Sequence, residues 1–304
     1  MGNIALLQKA IQREFSRVGW QYEVHITSKG EDLHEPVRKH LEKGCNLVVV
    51  AGGDGTVGGA ADALAGTNIP LALIPAGTWN ALARSLEIPL QALPAIRLIT
   101  GRHEVHAVDI LKVGDHHYIN NLGIGFSSGM VNSTAREAKR RFGVFAYFWN
   151  VIKEGFGLSL KPYQIVIDGE LHRVHASEVL ITNHSIIGIR PLENLLDICP
   201  DDGRVEVLVI QARTLLDLPA LLWQVLVKRQ RRTPKFRLYV AHRFVTVTSR
   251  QPRTIQADGE IIGETPIRIE LVPRAVRLVA PLQRRSGYRA IPHIPRLEDH
   301  PEVG

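Results

Sequence analysis

Cysteine is scarce. The 304-residue chain has two, Cys45 and Cys199, and no Cys-x-x-Cys pair, which argues against a disulfide framework or a cysteine-based zinc site. None of its thirteen histidines falls in an HExxH or i,i+4 pattern, so the helical zinc-protease arrangement is excluded as well. No run reaches eighteen apolar residues, and the amino terminus lacks a basic-then-apolar signal pattern. The expectation is a cytoplasmic chain without a membrane span, whose membrane contact is peripheral at the inner face. Internal repeats are also lacking. Acidic residues are the minority charge, 30 against 37 Lys and Arg, and the resulting +7 favours an anionic partner: nucleic acid, membrane surface or phosphorylated ligand. With 45% hydrophobic and 22% charged residues, the composition is that of a folded globular chain, long enough for two domains.

What is present is organised around residues 46–56, NLVVVAGGDGT. Leu47 to Ala51 is apolar without alternation, the pattern of a strand buried on both faces of a parallel α/β sheet. Gly52, Gly53, Asp54, Gly55 and Thr56 follow where that strand would end, and VGGAADALAG then has helical spacing. Strand, glycine loop and helix together point backbone N–H groups at an anion. Asp54 would repel a phosphate unless a cation or a ribose hydroxyl intervened, so phosphate with Mg²⁺ is the first reading.

Around this stretch the amino-terminal third alternates helix and strand. A helix is predicted over 4–18, with Ile4, Leu6, Leu7, Ile11, Phe15 and Val18 on one face. A short strand is predicted over 23–27, a helix over 36–43, and a second buried strand over 71–74 that runs into Pro75-Ala-Gly-Thr78 and a helix over 80–86. Such alternation implies a parallel sheet with its ligand site along the strand ends. From about residue 105 short β-branched segments take over, at 106–113, 163–168, 171–180, 205–210, 236–240, 244–248, 253–257, 267–271 and 276–279. They suggest an antiparallel sandwich. Helical insertions are predicted at 133–154 and 215–228, each pairing basic residues with aromatic or apolar ones, and a disordered tail over 282–304. The division is 1–104, 105–281 and tail, with the last strands free to return to the first sheet.

Three Asp-Gly pairs in the second half of the chain, at 168, 202 and 258, read locally as tight turns. Asp168-Gly169-Glu170 and Asp258-Gly259-Glu260 are the same tripeptide, and nothing local distinguishes them. Pro200-Asp-Asp-Gly203 reads as a solvated turn or as an oxygen-ligand cation site.

Taken together, GGDGT (52–56), PAGTWNALARSL (75–86), NNLGIGF (120–126), PDDG (200–203) and ADGE (257–260) resemble the diacylglycerol kinase catalytic-domain family, specifically the bacterial lipid kinases similar to sphingosine kinases. The resemblance implies an NAD kinase-like α/β domain, an all-β sandwich with helical insertions, and a site in the cleft between them. It also implies ATP held by Thr27, Gly52, Gly53, Asp54, Gly55, Thr56, Thr78 and Asn80. Magnesium would be held by Asp202 with backbone carbonyls near Cys199 and Arg204, and the general base would be Asp258 or Glu260. Asp109 matches a further aspartate near the cleft. The implied partner is a membrane lipid with a free hydroxyl, without nucleic acid, and a homodimer is an added expectation. The pattern departs from the family at an Asn-Pro-x-Ser-Gly loop before residue 4, and at Gly58, Gly59, Ala81 and Ser127, where the family has polar or acidic residues.

Overall fold

The computed structural model describes residues 4–28, 30–128, 158–183, 198–214, 217, 232–233 and 235–282. The predicted insertions at 133–154 and 215–228 and the tail beyond 282 lie outside the described residues, apart from Asp217.

The buried runs become parallel strands. β1 (Val48–Gly52) pairs with β2 (Pro70–Pro75), Val48 opposite Leu71 and Gly52 opposite Pro75, so both end at the same level. Within β2, Leu71 and Leu73 face one core and Ala72 and Ile74 the other. Period-two alternation therefore serves a strand apolar throughout, because helices cover both faces. α1 (Ile4–Arg17) brings Leu7, Ile11 and Phe15 against one face, beside α5 (Ala92–Ile99). On the other lie α2 (His34–Glu42), α3 (Asp54–Leu64) and α4 (Ala81–Ser85). Ile4 and Leu6, assigned from periodicity to the apolar face of α1, are 61% and 64% exposed.

The strand expected over 23–27 does not form. Residues 21–28 are exposed and unpaired by any strand, with Val24 57% and Ile26 68% exposed. β1 ends its sheet, and an alternating segment without an adjacent strand cannot satisfy its backbone in a ladder.

β3 (Glu104–Val113) and β15 (Ile267–Ala280) are long antiparallel partners running through both halves of the molecule. The carboxyl half of β15 pairs in parallel with β2, Leu278 opposite Leu71. Its amino half pairs with β12 (Phe244–Ser249), which is followed in the sheet by β6 (Lys161–Ile167) and β7 (Glu170–Ala176). β4 (His116–Tyr118) folds back on β3. The second sheet runs β10 (Arg232–Thr233), β11 (Phe236–Ala241), β9 (Val205–Ile210), β8 (Glu178–Thr182), β5 (Asn121–Gly125), β13 (Thr254–Ala257), β14 (Glu260–Glu264). Inward residues of both sheets, among them Ile165, Val179, Val207, Val245 and Ile255, form the sandwich core. The architecture is an α/β unit with a mixed sheet and an antiparallel β-sandwich, as the sequence implied.

Candidate active site

The two glycine loops lie against each other. A Cβ on Gly77 would stand 2.5 Å from the Cα of Gly53, so the approach requires glycine at 77, and a Cβ on Gly53 would be tight at 3.1 Å from the Gly77 Cα. The Ala76 N–H donates to the Gly52 carbonyl at 2.9 Å, and Gly52 leaves room for Thr56, whose Cβ would be 2.9 Å from a Cβ there. Asp54 opens α3, and its Oδ1 accepts the Ala81 N–H at 2.7 Å. The charge that looked awkward beside a phosphate is thus a cap that ties the start of α4 to the start of α3. Asn80 adopts a left-handed conformation, φ 47, and its amide bonds both the N–H and the carbonyl of Gly77 at 2.9 Å. Thr78 is exposed in this turn, while Thr27 lies in the exposed unpaired run at 21–28.

The β13–β14 turn faces the amino end of α3. A Cβ on Gly55 would come 3.6 Å from Oε1 of Glu260, and one on Gly58 3.5 Å from Oδ2 of Asp258. Gly58, a departure from the family pattern, thus lies beside the Asp258 carboxylate, at a distance where a Cβ would make an ordinary contact. Asp258 is not a free base. Its two oxygens accept the N–H groups of Ile119, Asn120 and Asn121 at 3.0, 3.1 and 3.1 Å. Burial pushes its carboxyl above the ordinary range, against the pull of these donors. Glu260 is exposed on the same turn, near the first N–H groups of α3, which have no partner within the helix. The twin tripeptide sits elsewhere: Asp168, between β6 and β7, accepts the N–H groups of His242, Arg243 and Phe244.

The Pro-Asp-Asp-Gly turn is fastened to the middle of β3. Buried Asp109 accepts the N–H groups of Gly203 (2.7 Å) and Arg274 (2.8 Å), and its own N–H donates to the Pro200 carbonyl. Burial raises its pKa. Asp202 is held by Arg204, whose Nε lies 2.9 Å from Oδ2 and whose backbone N–H lies 3.0 Å from Oδ1. The Cys199 thiol donates to Oδ1 of Asp201 and is pushed up to about 12, chiefly by burial. Magnesium needs oxygen ligands in near-octahedral array. With a guanidinium on the one carboxylate assigned to it and a neutral thiol beside it, the turn as arranged does not fit that ion.

Sequence reasoning missed a second layer. Gln256 donates to Oδ1 of Asn121 at 3.3 Å and accepts the Gly259 N–H at 3.0 Å, bracing the Asp-Gly-Glu turn. Glu178, 2% exposed, takes the Ser127 hydroxyl and N–H and is pushed up to about 7 by burial. A Cβ on Gly123 would meet both Gln256 and Glu178 at 2.7 Å, which explains one glycine of NNLGIGF. Tyr118 is raised to about 12, chiefly by burial and further by the charges of Asp62, Asp258 and Glu260. Only the NNLGIGF motif hinted at this layer; the rest is assembled by strand pairing.

Residues 2–113 match the model of the diacylglycerol kinase catalytic domain, and residues 122–280 that of the YegS C-terminal NAD kinase beta sandwich-like domain. A Staphylococcus carnosus protein named "Putative lipid kinase" is 30% identical over 246 residues, 77% of this chain and 76% of that protein. An uncharacterized Synechocystis protein is 30% identical over 268 residues; the match takes in 86% of this chain but 62% of the length of that relative. The crystal structure of a Bacillus anthracis protein described as a "putative diacylglycerol kinase" superposes with a TM-score of 0.76 at 25% identity, covering 92% of this chain and 91% of that one. With both halves of the fold matched in order, the chain belongs to the diacylglycerol kinase catalytic-domain family and carries the YegS type of β-sandwich as its second half.

Proposed function

We propose that the protein is an ATP-dependent lipid kinase that transfers the γ-phosphate to a hydroxyl of a membrane lipid, diacylglycerol-like or sphingoid-like. The observation that carries this reading is the approach of Glu260 to Gly55, where the touching glycine loops open α3. Membership of a kinase family implies ATP use and, ordinarily, a divalent metal. The N–H groups at the start of α3 would receive phosphate oxygens. A lipid hydroxyl is a poor nucleophile near neutral pH, and a carboxylate within reach must take its proton as it attacks. Glu260 is the better acceptor of the two candidates, because the oxygens of Asp258 are committed to three N–H groups. Asp258 then acts by holding the turn. No step is routed through magnesium at 199–204.

The net charge of +7 suits the anionic inner face of a membrane, and no helix among the described residues is long and apolar enough to cross one. A catalytically impaired nucleotide- or lipid-binding protein is the second reading, favoured by the exposure of Thr27 and by the hold of Arg204 on Asp202. Labelled ATP offered with a panel of lipids in anionic vesicles, and separately with NAD, decides among these. Lipid labelling is expected. Glu260→Gln should lower kcat about 10²- to 10⁴-fold with little change in KM for ATP, whereas Asp168→Asn should retain activity. Asp258→Ala should lose activity together with stability. Binding without turnover would establish the second reading, and label on NAD an NAD kinase-like enzyme; full activity in Glu260→Gln would remove the base assignment.

A further inference from the structure

Away from the glycine loops, two elements bring imidazoles onto one carboxylate of a third, all three distant in sequence. His34 opens α2, Asp62 lies in the last turns of α3, and His116 and His117 begin β4. The Nε2 of His34 and the Nδ1 of His116 each stand 3.0 Å from the same oxygen, Oδ2 of Asp62. The three ligand atoms all lie within 4.8 Å of one another. Oδ1, the other oxygen, is taken by His117, through its N–H at 2.8 Å and its Nδ1 at 2.9 Å.

We propose that His34, Asp62 and His116 form a binding site for a divalent transition metal of the Zn²⁺ type. Two imidazole nitrogens and one carboxylate oxygen make a borderline donor set, suited to Zn²⁺ or Co²⁺ and poor for Mg²⁺. Ligands about 2.1 Å from a tetrahedral metal stand about 3.4 Å apart, so the 3.0 Å nitrogen-to-oxygen separations need only slight widening. His34 and His116 side chains are 44% and 65% exposed, and rotation of these rings closes the remaining interval. A water would complete the coordination from the solvent side. His117 supplies what ligating carboxylates ordinarily have, an outer hydrogen bond that fixes which oxygen faces the metal.

Occupancy would clamp α2, α3 and the β3–β4 hairpin together. That hairpin leads directly into Ile119, Asn120 and Asn121, whose N–H groups hold Asp258, so a bound ion would stiffen the frame behind the turn. The site does not depend on what the protein phosphorylates.

The test uses the full-length protein freed of metal with a chelator. Titration with Co²⁺ should develop visible ligand-field bands at one equivalent, reversed by Zn²⁺, and Zn²⁺ should raise the melting temperature while Mg²⁺ leaves it unchanged. The double variant His34→Gln, His116→Gln keeps hydrogen bonding to Asp62 and should lose the bands and the thermal shift; circular dichroism verifies its fold. His117→Ala should weaken Zn²⁺ binding about 10- to 100-fold, and His172→Ala should leave it unchanged. Absence of bands in the parent protein, their persistence in the folded double variant, or an equal thermal shift with Mg²⁺ would overturn the assignment.

Discussion

Asp168 and Asp258 occupy the same conformation, φ 50 and φ 48, and each gathers three backbone N–H groups at a hairpin turn. The turn was legible in the tripeptide, because Asp and Gly both tolerate positive φ. Which copy belongs to the site was not, since that depends on α3 arriving beside one of them. His34, Asp62 and His116 escape a spacing search for the same reason: their neighbourhood exists only once α2, α3 and β4 pack. Glu178 is a third case, a carboxylate buried under Gly123 and held by Ser127. The serine, a departure from the family pattern, puts a donor where an aspartate would add a second negative charge. Glu178 ionises near 7 in the fold against 4.5 ordinarily. A raised folded value means its contribution to stability is complete below 4.5 and is lost as pH rises through 7. That interval corresponds to about 3 kcal/mol. Glu178→Gln should therefore exceed the parent in stability by up to that amount at pH 8, and lose the advantage at pH 4.5. Urea unfolding at the two pH values measures this, and an advantage independent of pH would refute the burial argument.

At the level of elements, local pattern located strands but not their ends or partners. Residues 171–180 alternate as one strand, yet the chain changes sheets at Ser177, so β7 and β8 belong to opposite layers. Conversely, 267–271 and 276–279 read as two strands because Pro273 and Arg274 interrupt the pattern, whereas they are halves of β15 around a bulge. A bulge interrupts the ladder without ending the strand. The 23–27 strand failed for want of a neighbour, which no property of its own sequence reveals. At the bulge Arg274 is left-handed, φ 51, and its N–H is held by Asp109. Glycine relieves the conformation without removing that donor, so Arg274→Gly should be neutral or stabilise by up to about 1 kcal/mol. Asp109→Ala strands the N–H groups of both Gly203 and Arg274 and should cost about 1–3 kcal/mol. If urea midpoints rank the two variants in the reverse order, the bulge is not held in this way.

For the molecule as a whole, the change from alternating helix and strand to short β segments near residue 105 is visible in the sequence, but the cores do not divide there. The first core includes Val108, Ile110 and Ile119 from β3 and the segment after β4, and Val276, Leu278 and Ala280 from the far end of β15. Leu111 and Leu271, one step along the same two strands, face the sandwich core instead. β3 and β15 are thus a shared spine, and the first unit cannot bury its apolar faces without a strand supplied about 170 residues later. Residues 1–104 alone would leave the β2 edge that receives β15 unpaired and uncover Leu71 and Leu73. That fragment should show no cooperative urea transition by circular dichroism. A remedy follows from the register, in which Lys112 stands opposite Glu270 and Leu111 opposite Leu271. Residues 1–113 joined by a short Asn-Gly turn to residues 269–282 would restore the hairpin and both missing faces. This chimera should unfold cooperatively where the fragment does not. Cooperative unfolding of residues 1–104, or none in the chimera, would show that the first unit is completed by something other than the returning strand.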